Sequence, residues 1–250
     1  MIVVHPPSSV FSRRHAPSWL LFSFSAGCVN ATAFLACARF ITHITGTVSR
    51  IGIDASAVTL ALDYGLVLFC FIAGALAAAT LIDARHHQHK TPLHAVPLFA
   101  VSAILTIVGV AGASGLFGVF GGSVEGARDF AFLSILAFAM GLQNAAVATS
   151  TGMLVRTTHM TGPATDLGVH LAVAAHTGGR SRRRALAHAA LRAGKLASFA
   201  LGAGVGATLA HRVGYAAFFL PAAGVLIATL SSFVSLPLPT PTPSSRKGTT

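Results

Sequence analysis

Thr158-His159-Met160-Thr161-Gly162-Pro163-Ala164-Thr165-Asp166-Leu167-Gly168 repeats, 116 residues on, the stretch Thr42-His43-Ile44-Thr45-Gly46-Thr47-Val48-Ser49-Arg50-Ile51-Gly52. Thr, His, Thr, Gly and the last Gly are identical. Two further matches lie in the same order along the chain. Upstream, Gly27-Cys28-Val29-Asn30-Ala31 aligns with Gly141-Leu142-Gln143-Asn144-Ala145 at an offset of 114. Downstream, Phe71-Ile72-Ala73-Gly74-Ala75-Leu76-Ala77-Ala78-Ala79-Thr80-Leu81 aligns with Phe199-Ala200-Leu201-Gly202-Ala203-Gly204-Val205-Gly206-Ala207-Thr208-Leu209 at an offset of 128. Three collinear matches read as a duplication. The growth in offset places an insertion in the second copy, at the basic stretch Gly178-Gly179-Arg180-Ser181-Arg182-Arg183-Arg184.

The composition names the solvent. Hydrophobic residues make up 54% of the chain and charged residues 9%, with a mean hydropathy of +0.73, whereas a soluble domain carries about 25% charged residues. Apolar runs of roughly 20 residues, enough to cross a hydrocarbon core of about 30 Å, lie near 18–38, 64–83, 94–116, 130–149, 187–210 and 214–236. Trp19, Tyr64 and Tyr215 each stand at the start of a run, where amphipathic rings prefer the membrane interface. Three crossings per half make the second half enter from the opposite side. The expected fold is therefore an all-α membrane protein, about six transmembrane helices as a 3+3 inverted repeat. Each half carries a short additional helix after its Thr-His-x-Thr-Gly motif.

The charges orient it. Arg13, Arg14, Arg85, Lys90, Arg156, Arg180, Arg182, Arg183, Arg184, Arg192, Lys195, Arg246 and Lys247 fall on one side, against Arg39, Arg50, Arg128 and Arg212 on the other. The positive-inside rule makes the first side, and both termini, cytoplasmic. A net charge of +11 confined to such loops argues for topology and against nucleic acid. Residues 1–17 read as a cytoplasmic tail, 18–236 as the membrane domain with repeats 18–116 and 130–236, and 237–250 as a Pro-rich cytoplasmic tail. Ser25-Ala26-Gly27-Cys28 has Ser where a lipoprotein cleavage box has Leu, and its apolar run continues to about Ile41, so the first helix is read as uncleaved. Cys28, Cys37 and Cys70 lack C-x-x-C spacing and read as buried small hydrophobes. Arg85-His86-His87-Gln88-His89-Lys90 reads as a solvated basic loop, without the Cys or acidic ligand a metal core would add.

Pro163 favours the first helical position, so a helix is expected from 163 to just before Gly178, with a twin over 47–60. At about 14 residues and roughly 21 Å it is too short to span. Each motif then places Thr and Gly at a helix N-terminus, where free N–H groups can receive an anion or polar solute. The plain alternative is that Thr simply caps the helix. The candidate solute-binding set is Asn30, Thr42, His43, Thr45 and Gly46 from the first copy. The second copy supplies Gln143, Asn144, Thr158, His159, Thr161, Gly162 and Asp166. Intramembrane amides need a partner or a cavity, and a neutral His can bind a solute or relay a proton. Arg50 with Asp54, and Asp166 with His170, are spaced i to i+4 as helix-face pairs. A pseudo-two-fold axis could also bring Arg50 towards Asp166. Gly194, Gly202 and Gly206 give small-residue spacing for a close helix contact, with Gly204 adding to that narrow surface. No hydrolase, metalloprotease, nucleotide or dinucleotide motif is present. No enzyme activity, catalytic residue, metal or cofactor is expected.

Gly27 with Asn30-Ala31 and Phe34-Leu35, then Thr45-Gly46, Gly141-Leu142-Gln143-Asn144-Ala145 and Thr157-Thr158-His159-Met160-Thr161-Gly162, resemble the YoaK-like family of bacterial membrane proteins of unknown function. The likeness covers roughly 20–235 and is closer in the second half. Where that family usually shows an Asp, this chain has Asn30, and Thr47 replaces the Asn that follows the first Thr-Gly. The resemblance implies a bacterial inner-membrane location and no established activity. Taken together, the sequence points to a small-solute permease or channel-like transporter, with a non-catalytic membrane scaffold or sensor as the alternative. Its partners are the lipid bilayer and a small polar or anionic solute, and a homo-oligomer is left open.

Overall fold

A computed structural model describes residues 10, 12, 15–84, 93–122 and 126–233. The His-rich segment 85–90, the Pro-rich tail and most of the N-terminal tail lie outside the described residues. The elements are α1 (Ala16–Cys37), α2 (Ile44–Ile53), α3 (Val58–Ala79) continued by a π turn (Thr80–Ala84), α4 (Val96–Ala113), α5 (Ala127–Ser150), α6 (Thr161–His176), α7 (Gly179–Val213), a 3-10 turn (Gly214–Phe218) and α8 (Phe219–Phe233). No strand occurs among the described residues.

Local chemistry sets the ends. Pro17 and Pro97 sit in the first turns of α1 and α4, where a missing N–H costs no hydrogen bond. Asp129 Oδ2 accepts from the Gly126 N–H at 3.1 Å and anchors the start of α5. Ala38 takes a left-handed conformation, φ 52°, and ends α1. Five helical stretches are long and apolar enough to cross a membrane: α1, α3 to Asp83, α4, α5, and Gly179–Phe233 taken as one. The run expected as a sixth span is thus a break at Gly214, φ +56°, a 3-10 turn, and the 15-residue α8.

The short helices also differ from expectation. α2 begins one residue before its Thr-Gly and α6 at the Thr itself, rather than after the pair, and α2 stops at Ile53 because α3 takes over at Val58, with Asp54 and Ala57 turning between them.

The main packing crosses between the halves. α1 lies along α7 and α3 along α5. A Cβ on Gly27 would overlap the Phe199 carbonyl, and one on Gly202 the Phe24 carbonyl; at the other crossing Gly74 meets Phe138 and Gly141 meets Phe71 in the same way. The two crossings match residue for residue at the sequence offsets. Bare glycine backbone is what lets these helices approach so closely. Gly194 faces Leu20 and Gly206 faces Cys28, so α1 and α7 run in the same direction, while a Cβ on Gly204 would meet nothing. Tyr64 meets Phe130 edge-on at 5.6 Å, giving α3 and α5 one direction too. At one end Gly121 N–H donates to Ala36 O at 3.2 Å. At the other, Ser232 Oγ meets Ser18 Oγ at 2.7 Å and His94 meets Ser150 at 3.1 Å.

The three amphipathic rings are not at a lipid-facing interface. Trp19 is 0% exposed, its indole N–H donates to Val10 O at 3.1 Å, and Phe22 and Phe233 pack on it. Tyr64 and Tyr215 are buried as well, Tyr215 among Phe117, Phe120 and Phe132. Protein, not headgroup, satisfies them.

Candidate functional site

Beyond Ala38 the chain turns back along α1 instead of leaving it. Thr42 returns to the level of Asn30, whose Oδ1 accepts from the Thr42 N–H at 3.1 Å and the Thr42 hydroxyl at 3.0 Å. In the second half Asn144 Oδ1 accepts from the N–H groups of Thr157 at 3.0 Å and Thr158 at 3.4 Å. The two asparagines solve one problem. An irregular segment at membrane depth has N–H groups without helical acceptors, and an amide in an apolar helix needs a partner. Both α2 and α6 start from these tethered segments, well inside the ends of α1 and α5.

Histidine rings, not threonine hydroxyls, lie against the first turns of the two short helices. Gly162 N–H donates to His159 Nε2 at 3.3 Å, which makes Nε2 the unprotonated ring nitrogen. His43 covers Gly46 so closely that an added Cβ would lie 2.6 Å from Nδ1. Neither short helix has a side-chain cap bond at its N-cap residue, His43 or Met160. The hydroxyls of Ser49 and Thr165 bond back to the carbonyls of Thr45 and Thr161.

The two motifs meet. One cavity of about 420 Å³ is lined by Asn30 with Asn144, Thr42 with Thr158, His43 with His159, Ile44 with Met160, Thr45 with Thr161, Phe71 with Phe199, and Phe40 with Arg156. Each pair is related by the repeat offsets, so the lining is seven equivalent positions taken twice. Its volume falls in the range of small-molecule sites. Six pairs keep their chemical character. In the seventh, Arg156 stands where the first half has Phe40, and it is the lining's one formally charged side chain.

Two smaller cavities, about 260 Å³ each, flank the central one. The first shares Phe40 and His43 with it and adds Arg39, Gly46, Arg50 and Tyr64. The second shares Arg156 and His159 and adds Gly162, Asp166, Arg192 and Lys195. In the first, Arg39 donates to the Tyr64 hydroxyl and lies over the rings of Tyr64 and Phe130, at 4.9 and 5.5 Å. Arg50 pairs with Asp54 at 3.6 Å as the spacing predicts. In the second, Asp166 pairs with Arg192 at 3.4 Å, not with His170, which packs on His188 at 4.8 Å. Lys195 Nζ donates to the Arg156 carbonyl.

Of the twelve sequence candidates, eight line the central cavity: Asn30, Thr42, His43, Thr45, Asn144, Thr158, His159 and Thr161. Gly46, Gly162 and Asp166 line the flanking cavities, so Arg50 and Asp166 lie in different ones. Gln143 lines none of them. It is 0% exposed and donates to Phe22 O at 3.3 Å and the Thr157 hydroxyl at 3.1 Å, tying α5 to α1 and to the tethered segment. The sequence does not single out Phe71 and Phe199 as lining residues, although each opens the downstream repeat match. In the sequence Arg156, Arg192 and Lys195 stand out only as orientation charges.

The profile of one family, described as "Protein of unknown function (DUF1275)", matches residues 18–231. The chain belongs to this family. The matched DUF1275 region runs from α1 into α8 and includes both motifs and the whole cavity lining. The chain matches no curated protein and no solved structure. Family and apolar helices together mark a membrane-embedded protein.

Proposed function

We propose that the chain is a small-solute permease whose substrate site is the central cavity. The observation that carries this reading is that both Thr-His-x-Thr-Gly motifs, one from each half, line a single polar cavity. A solute-binding feature built by two equivalent half-helices at the junction of two repeats is a recurrent device of alternating-access carriers. The reading includes six crossings as a 3+3 inverted repeat, and the opposed directions of α1 and α5 support it. With the Arg and Lys bias it gives both termini a cytoplasmic side. The inner-membrane address follows from the likeness to the YoaK-like proteins. In this scheme Asn30 and Asn144 hold the half-helices, His43 and His159 face the solute and separate the central cavity from its neighbours, and the chain catalyses no chemical reaction.

Flux in proteoliposomes tests the proposal. Purified protein should carry a counter-flow of labelled solute that wild type supports and the Asn144→Leu variant does not. Vesicles that stay sealed to a broad panel of anions, cations, amino acids and sugars would make the scaffold or sensor the better reading.

A further inference from the structure

The second flanking cavity differs from the first in what its α7 wall carries. Arg192 and Lys195, one turn apart, occupy the positions held by Tyr64 and Val67 in the first half. Both are buried, at 7% and 2% exposure. Arg156, in place of Phe40, adds a third cation to the same lining, against one carboxylate, Asp166. Arg192 Nη1 is buried and has no hydrogen-bond partner, although the Nε of the same guanidinium reaches Asp166. Uncompensated buried charge is costly, and the equivalent wall of α3 shows that the packing needs none.

We infer that this second cavity is an oxyanion site, in which Arg192, Lys195 and Arg156 hold a phosphate or carboxylate group beside His159. The unused donor on Arg192, the remaining protons of the Lys195 ammonium and the fork of Arg156 supply charge-assisted hydrogen bonds to such a group. Asp166 orients Arg192 and leaves an excess of positive charge for the ligand. The first cavity cannot take the same role, because Arg39 is engaged by Tyr64 and two aromatic faces and Arg50 by Asp54. A free solute anion or the headgroup of an anionic lipid offers the same chemistry. That the transported solute is itself an anion rests on the permease reading; the binding site does not.

The full chain in phosphatidylcholine nanodiscs tests it by thermal unfolding and calorimetric titration. Sodium phosphate and sodium succinate are the probes, with choline chloride at matched ionic strength as the blank. A second set of nanodiscs contains phosphatidylglycerol and no added anion. Stabilisation by phosphate or succinate supports a solute source, and stabilisation by phosphatidylglycerol alone supports a headgroup. In either case Arg192→Gln and Lys195→Met should weaken binding by about tenfold or more, whereas Arg182→Gln, on the exposed start of α7, should not. If the buried variants fail to fold, Arg156→Phe installs the residue of the first half at an exposed position and should still lower the affinity. The site is overturned if neither probe nor lipid stabilises the protein, or if Arg182→Gln costs as much as the cavity variants. Flux of cations or neutral solutes without any oxyanion binding would sink this inference and leave the permease standing. Oxyanion binding without flux would do the reverse.

Discussion

The first and second halves of the chain use the same glycines and asparagines but line their outer cavities with different chemistry. Gly27 with Gly202 and Gly74 with Gly141 form two crossings of the same construction, and Asn30 and Asn144 hold the two motifs alike. Around them Phe40, Tyr64 and Val67 become Arg156, Arg192 and Lys195. What both halves keep is what close packing and backbone satisfaction demand. What one half changes is free to serve selectivity.

The sharpest way to break this comparison is at the crossings. Gly27→Leu and Gly141→Leu each force a side chain into a backbone carbonyl, so each should cost on the order of 3 kcal/mol or more and abolish the monodisperse peak in size-exclusion chromatography. If one is tolerated and the other is not, the crossings are not equivalent.

The asparagines come next. Asn144→Leu strips two backbone N–H groups of their acceptor, and should cost about 2 kcal/mol and expose the amides of Thr157 and Thr158 to hydrogen exchange. Asn30→Leu strips one N–H and a hydroxyl that can turn elsewhere, so about 1 kcal/mol is expected. A larger loss at Asn30, read from thermal unfolding in one detergent, would reverse the assignment of the more constrained half.

Smaller effects separate the two histidine–glycine contacts. A Cβ on Gly46 would lie 2.6 Å from His43 Nδ1, but one on Gly162 would lie 3.2 Å from His159 Cδ2. Gly46→Ala should cost about 1–2 kcal/mol and Gly162→Ala less than about 1, with unfolding temperatures in that order. Least of all is Gln143→Val, which copies Val29 from the first half. It loses two hydrogen bonds but also removes a buried Oε1 that has no partner, so stability should stay within about 1 kcal/mol. A large drop in unfolding temperature would make Gln143 a keystone and not a local embellishment.

The membrane-embedded helical class was legible because hydropathy and span length report on lipid directly. The central cavity was legible because Asn30, Asn144 and the two motifs repeat, and a repeated polar residue in an apolar run has few structural explanations. Four kinds of feature escaped. The short helices began early, and the side chains against their first turns are the rings of His43 and His159, where Thr hydroxyls were expected. Trp19 and Tyr215 turned inward because neighbouring aromatic rings and carbonyls satisfied them, which no single run of sequence records. Gln143 lies between two eligible surfaces, and only packing decides which one an amide meets. The cations of α7 were visible as charges, but their convergence on one cavity depends on α6 folding back over α7.

The exchange of partners between halves also governs how the protein can be made. The chief neighbour of α1 is α7, and that of α3 is α5, so no helix pair of the first half completes its packing until the second half has been synthesised. A nascent first half must wait in the bilayer with the bare faces of Gly27 and Gly74 turned to lipid or to the insertion machinery. Cleavage in the connection between α4 and α5 would not release two modules, because each piece holds the other's missing partners.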